Sequence, residues 1–303
     1  MSQTQFKGVG VALVTPYNSN GDVDFPSLER IIEYTIKGGV DFLVSLGTTG
    51  EATALSKDEC QAILDFTVQV AAERLPVVAG FFGGNNTQHI IDRINAYDLE
   101  GCAAIMSSSP SYLKPTQEGI FQHYMKIEEA SSHPIIIYNV PGRTSSNIDA
   151  ETVVRLAQAS EKFVAIKDAS GNLVQGMEIF RDKPAHLTLL SGDDPTSLPL
   201  IASGAEGVIS VIANAFPKQF CDMIHAALRN DYATARAMNS LLLDLHPWLY
   251  TDGNPAGIKA TLEILGYCNR SVRLPLVPVK EETFRQLVKE VGRIKVGTGI
   301  KVG

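Results

Sequence analysis

The stretch Phe163-Val164-Ala165-Ile166-Lys167-Asp168-Ala169-Ser170-Gly171-Asn172 decides how the rest of the chain reads. A short apolar run ends on a lysine, and a Gly/Asn turn follows within five residues, which predicts a buried strand over 163–167. An amphipathic segment then predicts a helix over 173–181, and a second apolar run predicts a strand over 187–191. Working outward, the same alternation recurs in both directions. Strands are predicted over 9–14, 42–46, 76–80, 103–107, 134–138 and 207–211. Helices are predicted over 27–37, 56–73, 87–100, 116–131, 149–159, 194–203 and 217–229. Ser27 reads as the N-cap of the first helix, and Gly38-Gly39 as its stop. Ser56 with Glu59 three residues on fits a capping box. Gly101 reads as the stop for the helix ending at 100.

Eight β/α units suit an α/β fold of the (β/α)8 TIM-barrel type. The rival is an open doubly wound sheet. Such sheets place a Gly-x-Gly-x-x-Gly cradle after the first strand, and this chain has Thr15-Pro16-Tyr17 there instead. Residues 1–230 are therefore expected to form the barrel and 231–303 a C-terminal helical layer, with helices over 231–245, 255–265 and 280–291. The Gly-rich end from Lys295 onward is expected to be mobile.

The chain has 303 residues, 45% of them hydrophobic, and a formal net charge of −7. That composition predicts a packed core, and the acidic balance argues against nucleic acid as a partner. The opening residues carry no apolar leader run, and no run approaches the ~18 apolar residues of a membrane helix. A cytoplasmic protein with no membrane contact is expected. Cys60, Cys102, Cys221 and Cys268 lie far apart without metal-ligand spacing, so reduced thiols are expected and a metal site is not.

In such barrels the chemistry sits at the C-terminal ends of the strands. Lys167 ends the sixth. An ammonium buried there loses hydration, which disfavours its charged form, and a neutral lysine can attack a carbonyl to form an imine. A lysine at a strand end can equally reach solvent or pair with a carboxylate such as Asp168. Gly47-Thr48-Thr49-Gly50-Glu51 ends the second strand, where two hydroxyls and several N–H groups can seat a small anion. Glu51 reads as a brace for backbone N–H groups. The fifth strand ends in Tyr138-Asn139-Val140-Pro141-Gly142-Arg143-Thr144, offering a phenol for proton transfer and a guanidinium for a carboxylate. A packed tyrosine and a surface arginine remain the plain alternatives. Tyr112, in a Pro-bounded loop, reads alone as a surface aromatic. Together these groups fit carbonyl chemistry on a keto acid, with no cofactor, because the lysine is itself the electron sink.

Three segments, Gly47 to Glu51, Tyr138 to Thr144 and Ile166 to Asn172, resemble signatures of the class I, pyruvate-dependent aldolase-lyases. Leu13-Val14-Thr15-Pro16, Ser191-Gly192-Asp193-Asp194, Gly207-Val208-Ile209-Ser210-Val211 and Asn254-Pro255 extend the likeness over nearly the whole chain. The resemblance implies an imine between Lys167 and pyruvate, proton transfer by Tyr138, and a relay from Tyr138 through Thr48 to Tyr112. Tyr112 would reach across a dimer interface into a neighbouring site. Thr49 would hold the pyruvate carboxylate and Arg143 the carboxylate of the second partner, L-aspartate 4-semialdehyde. Ile209, through its carbonyl, and Gly192 would line the pocket, with Asn254 in support. A homotetramer built from tight dimers is implied, with a dimer as the alternative. Sister lyases acting on sialic acid or sugar acids are the competing activity, and a non-catalytic keto-acid sensor the competing class. At the positions of the lysine-binding cleft of some relatives stand Lys57, Cys60, Gly84, Gln88 and Ser111, so weak or absent inhibition by lysine is expected.

Overall fold

The structure, a computed structural model, describes residues 6–298. Eight parallel strands close into a barrel in chain order: β1 (Gly8–Ala12), β2 (Phe42–Ser45), β3 (Val77–Ala79), β4 (Cys102–Ser108), β5 (Ile135–Asn139), β6 (Phe163–Asp168), β7 (Thr188–Ser191) and β8 (Gly207–Ser210). Closure is made by β8 against β1, with Gly10 opposite Ile209. The helices α1 (Phe25–Lys37), α2 (Lys57–Ala71), α3 (Thr87–Ala96) and α4 (Gln117–Ala130) follow the first four strands. After β5 come a short α5 (Pro141–Thr144) and α6 (Ala150–Ala159). Then α7 (Leu173–Asp182), α8 (Ser197–Ala202) and α9 (Pro217–Leu228) complete the outer ring. The chain continues through α10 (Tyr232–Leu242), α11 (His246–Tyr250), α12 (Ala256–Ile264) and α13 (Glu281–Thr298). No helix among the described residues is long and apolar enough to cross a membrane.

Strand alternation sorts the core into two shells. Phe42, Val44, Ile136, Ala165, Leu190 and Ile209 point into the barrel. Leu43, Ile135, Ile137, Ile166, Leu189 and Val208 face the helices instead. Gly10 belongs to the inner layer, where a Cβ would come within 2.2 Å of the Phe42 ring. One aromatic ring thus fills space that two side chains could not share.

The capping box at Ser56 and Glu59 forms as expected, with both reciprocal bonds present. The first helix differs. It starts at Phe25, and Asp24 is its N-cap, accepting from Ser27 N–H at 3.1 Å. Pro26 in the first turn needs no N–H partner, so the earlier start costs little. The third helix stops at Ala96 rather than at 100. Asp98 leaves the helical path because its N–H and C=O both bond the Gln61 side chain, each at 2.9 Å. The C-terminal helix runs on through Thr298, which corrects the expected mobile end for 295–298, and Ile294 is buried. Residues 299–303 lie outside the described residues. The four cysteines are free and buried.

Candidate active site

The pairing of β5 with β6 sets Tyr138 opposite Lys167 and Asn139 opposite Asp168. Side chains opposite one another in parallel strands share a face, so Tyr138 and Lys167 both enter the barrel mouth. Lys167 is 5% exposed, and its Nζ lies 4.3 Å from the centre of the Tyr138 ring. Among the described residues no carboxylate forms an ion pair with it. Asp168 points elsewhere: it accepts from Asn139 Nδ2 at 3.0 Å, Ser170 N–H at 3.2 Å and Ser170 Oγ at 2.9 Å. Burial pushes the Asp168 carboxyl up, against the pull of those donors. The simple pairing of Lys167 with its neighbour is therefore not what the fold builds.

At the end of β2 the chain turns sharply. Leu46 and Glu51 adopt left-handed conformations (φ 62° and 55°), uncommon for residues other than glycine. Gly50 N–H bonds Gly47 O at 3.0 Å and Glu51 N–H bonds Thr48 O at 3.1 Å. The N–H groups of Thr48 and Thr49 bond no acceptor among the described residues. Thr49 is buried, and its Oγ1 accepts from Asn254 Nδ2 at 3.0 Å. Two N–H donors and a hydroxyl on one turn make a seat for a carboxylate. Glu51 does bond a backbone N–H, that of Arg273 at 3.0 Å.

These groups line one cavity of about 330 Å³. Lys167, Tyr138, Thr48, Thr49, Arg143, Gly192 and Asn254 all contribute to its wall. Arg143 is exposed on α5 and forms no ion pair among the described residues, so its guanidinium is available at the rim. Gly192 contributes by lacking a side chain: a Cβ there would come within 3.0 Å of Lys167 Cγ. Two predicted residues do not line the cavity. Ile209 is 1% exposed and packs in the barrel interior below it, because alternation turns its side chain inward under the mouth. Tyr112 stands outside, 84% exposed, in a left-handed conformation (φ 70°) with its N–H bonded to Thr144 O at 3.1 Å.

Sequence reasoning missed Asp193 and Tyr250, which also line the cavity. The signal for Tyr250 was an aromatic-rich stretch, Trp248-Leu249-Tyr250, just ahead of Asn254-Pro255. Although 37% of the residue is exposed, crowding around its hydroxyl, followed by Asp194 and Asp193, pushes its pKa well above the usual phenol range. Asp194 is buried too. It accepts from Val211 N–H at 3.0 Å and Ile212 N–H at 2.8 Å, tying the β7 loop to the end of β8.

A separate cavity of about 560 Å³ is lined by Lys57 and Cys60 with Asp92, Arg93 and Tyr97. Lys57 Nζ lies 5.8 Å from the Tyr97 ring centre. Gln88 does not line it, but donates to Asp92 at 2.9 Å; Gly84 and Ser111 do not line it either.

A profile of the Dihydrodipicolinate synthetase family matches residues 5–294. A 4-hydroxy-tetrahydrodipicolinate synthase from Azobacteroides pseudotrichonymphae is 47% identical over 289 residues, 95% of this chain and 97% of its own length. The solved 4-hydroxy-tetrahydrodipicolinate synthase of Methylacidiphilum fumariolicum SolV superimposes with a TM-score of 0.93 at 32% identity, covering 97% of each chain. A chloride-inhibited dihydrodipicolinate synthase from Acinetobacter baumannii, solved with pyruvate, gives a TM-score of 0.90 at 38% identity, covering 94% of this chain and 99% of that one.

Proposed function

Because the chain belongs to the dihydrodipicolinate synthetase family, we infer that its barrel condenses pyruvate with L-aspartate 4-semialdehyde to give 4-hydroxy-tetrahydrodipicolinate, in lysine and diaminopimelate biosynthesis. It is a lyase of the class I, Schiff-base type. The observation that carries the chemistry is a buried Lys167, without an ion pair among the described residues, facing Tyr138 beside a carboxylate seat.

Lys167 Nζ attacks the keto carbon of pyruvate, and loss of water leaves an imine. The iminium draws electrons from the adjacent methyl, which gives up a proton and becomes an enamine. The enamine carbon attacks the semialdehyde carbon. The amine of the second substrate then displaces Lys167 by transimination, closing the ring and freeing the lysine. Tyr138 lies against the reacting amine and carries protons in these steps, with Thr48 next in the relay. Thr49 and the free N–H groups of its turn hold the pyruvate carboxylate. Arg143 at the rim takes the carboxylate of the semialdehyde, and a guanidinium fork suits that task. Gly192 and Asn254 shape the pocket. Holding both partners in one small cavity removes much of the entropic barrier, several kcal/mol or more by general experience (~7–11 kcal/mol at best).

The reading needs no metal or organic cofactor, since the lysine provides the electron sink. Its exposed, strained position suits Tyr112 to the neighbouring site of a dimer, and a homotetramer of two such dimers in the cytoplasm is the assembly proposed. The test is turnover of pyruvate plus L-aspartate 4-semialdehyde, coupled to a reductase and followed by loss of NADPH. Parent turnover is expected, and Arg143→Ala should raise KM for the semialdehyde while leaving imine formation with pyruvate intact. A parent that is inactive with the semialdehyde but cleaves sugar acids would overturn the reading.

A further inference from the structure

Behind the carboxylate seat lies a buried ion pair for which the reaction has no direct use. Lys259, on α12, is fully buried. Its Nζ pairs with Glu51 Oε1 at 2.5 Å, donates to Ser271 O at 2.8 Å and lies 3.9 Å from the Tyr17 ring centre. The second Glu51 oxygen accepts from Arg273 N–H at 3.0 Å. Taking two charges out of water is costly, and a well-packed apolar pair of similar volume is often as stable. Stability alone therefore does not explain why charge stands here.

Location does. Glu51 is the last residue of the turn that carries Thr48 and Thr49, and it sits in a left-handed conformation. Its side chain is anchored at both oxygens, so the turn cannot relax toward an easier backbone shape without breaking them. The same helix region grips this turn a second time. Asn254, just before α12, donates to Thr49 Oγ1 at 3.0 Å. Lys259 N–H bonds Pro255 O at 3.0 Å, so the two grips are about one helical turn apart on one rigid element.

We propose that Lys259 and Glu51 are positioning residues that hold the Gly47–Glu51 turn in its carboxylate-binding shape, so that the C-terminal helical layer sets the affinity for the keto acid. The proposal rests on the imine reading above and deepens it. Neither residue touches substrate; both act through the Thr48 and Thr49 N–H groups and the Thr49 hydroxyl.

The experiment is borohydride trapping of the Lys167 imine, read by intact mass, with two ketones: pyruvate and hydroxyacetone, which lacks the carboxylate. It is run on the parent, on Lys259→Met and on Lys259→Met/Glu51→Gln. The double variant removes both charges, so it avoids the stranded carboxylate that could unfold the single one. Losing well-placed hydrogen bonds to a charged group predicts that half-saturation by pyruvate rises about tenfold or more in the variants. Half-saturation by hydroxyacetone should stay where it is in the parent, as should kcat at saturating pyruvate. An unchanged pyruvate midpoint in a folded double variant overturns the proposal. So does an equal weakening for both ketones, which would mean general damage to the site. A parent that traps no pyruvate overturns the imine reading itself, and this proposal with it.

Discussion

Gly192→Ala adds one methyl group beside the proposed nucleophile, and the structure fixes what that methyl meets. A Cβ at position 192 would lie 2.7 Å from Ala169 Cβ, 3.0 Å from Lys167 Cγ and 3.1 Å from Ala169 Cα. Apolar carbons settle at about 3.5 Å or more, so the shortfalls are about 0.8 Å and about 0.5 Å for the first two contacts. Ala169 has no torsion with which to swing aside. Gly192 N–H is also held to Asp168 O at 2.7 Å, so the two segments cannot simply drift apart. The strain must move the Lys167 side chain or the strand end that carries it. A 1 Å misplacement of a reacting group can cost about a hundredfold, so a shift of half to most of an ångström predicts about a ten- to hundredfold slower imine formation. Overpacking of this kind should also lower stability by about 1–3 kcal/mol. The assay is rapid-quench borohydride trapping with saturating pyruvate, alongside denaturant melts. Gly292→Ala is the control: no described residue comes within 4 Å of a Cβ there, it sits inside α13, and it should keep full activity. Parent-like trapping rates in a folded Gly192→Ala protein would refute the argument that this space positions the lysine.

Two further outcomes follow from the geometry. Burial holds His123 down to a pKa of about 4, with Nδ1 bonded to Thr87 Oγ1 at 2.8 Å. The unfolded chain would protonate it near 6.5, so between about pH 6.5 and pH 4 the unfolded state binds the extra proton and stability falls as pH drops. His123→Gln should flatten that part of the stability profile in urea melts, and parallel profiles for parent and variant would count against it. Lysine at millimolar concentration should leave turnover nearly unchanged. The cavity at Lys57 also holds Arg93, and Asp92 there is already bonded by Gln88, so a second ammonium would meet mostly like charge. A steep fall in activity would refute this.

What could be read from the sequence was what is local. The β6 segment declared itself because an apolar run, a terminal lysine and a Gly/Asn turn are neighbours in the chain. Register did the rest: a strand end in a parallel barrel has a fixed face, so Tyr138 and Lys167 had to meet once β5 and β6 paired. The cap of the second helix was legible for the same reason, its two partners being three residues apart. The first helix was not, because Asp24 and Ser27 are both good caps and only the Pro26 start favours the earlier one. Helix α3 ended early because a side chain on another helix claimed Asp98, and no local pattern announces that.

The parts of the site that stayed hidden share one physical cause. Lys259 reaches Glu51 across 208 positions, just as Asn254, which the resemblance had already implied, reaches Thr49 across 205. Tyr250 likewise enters the wall from the C-terminal layer. Yet a trace of this was present. A lysine inside the otherwise uncharged run Ala256-Gly257-Ile258-Lys259-Ala260-Thr261-Leu262 stands on a helix whose residues from Ala256 to Leu262 are all buried. A charge on such a helix needs a buried partner of opposite sign. Glu51, the lone charge in an otherwise uncharged loop, was the matching half. Pairing isolated charges that neither segment can solvate ties the C-terminal layer to the Gly47–Glu51 turn, so the turn's shape depends on both halves of the chain.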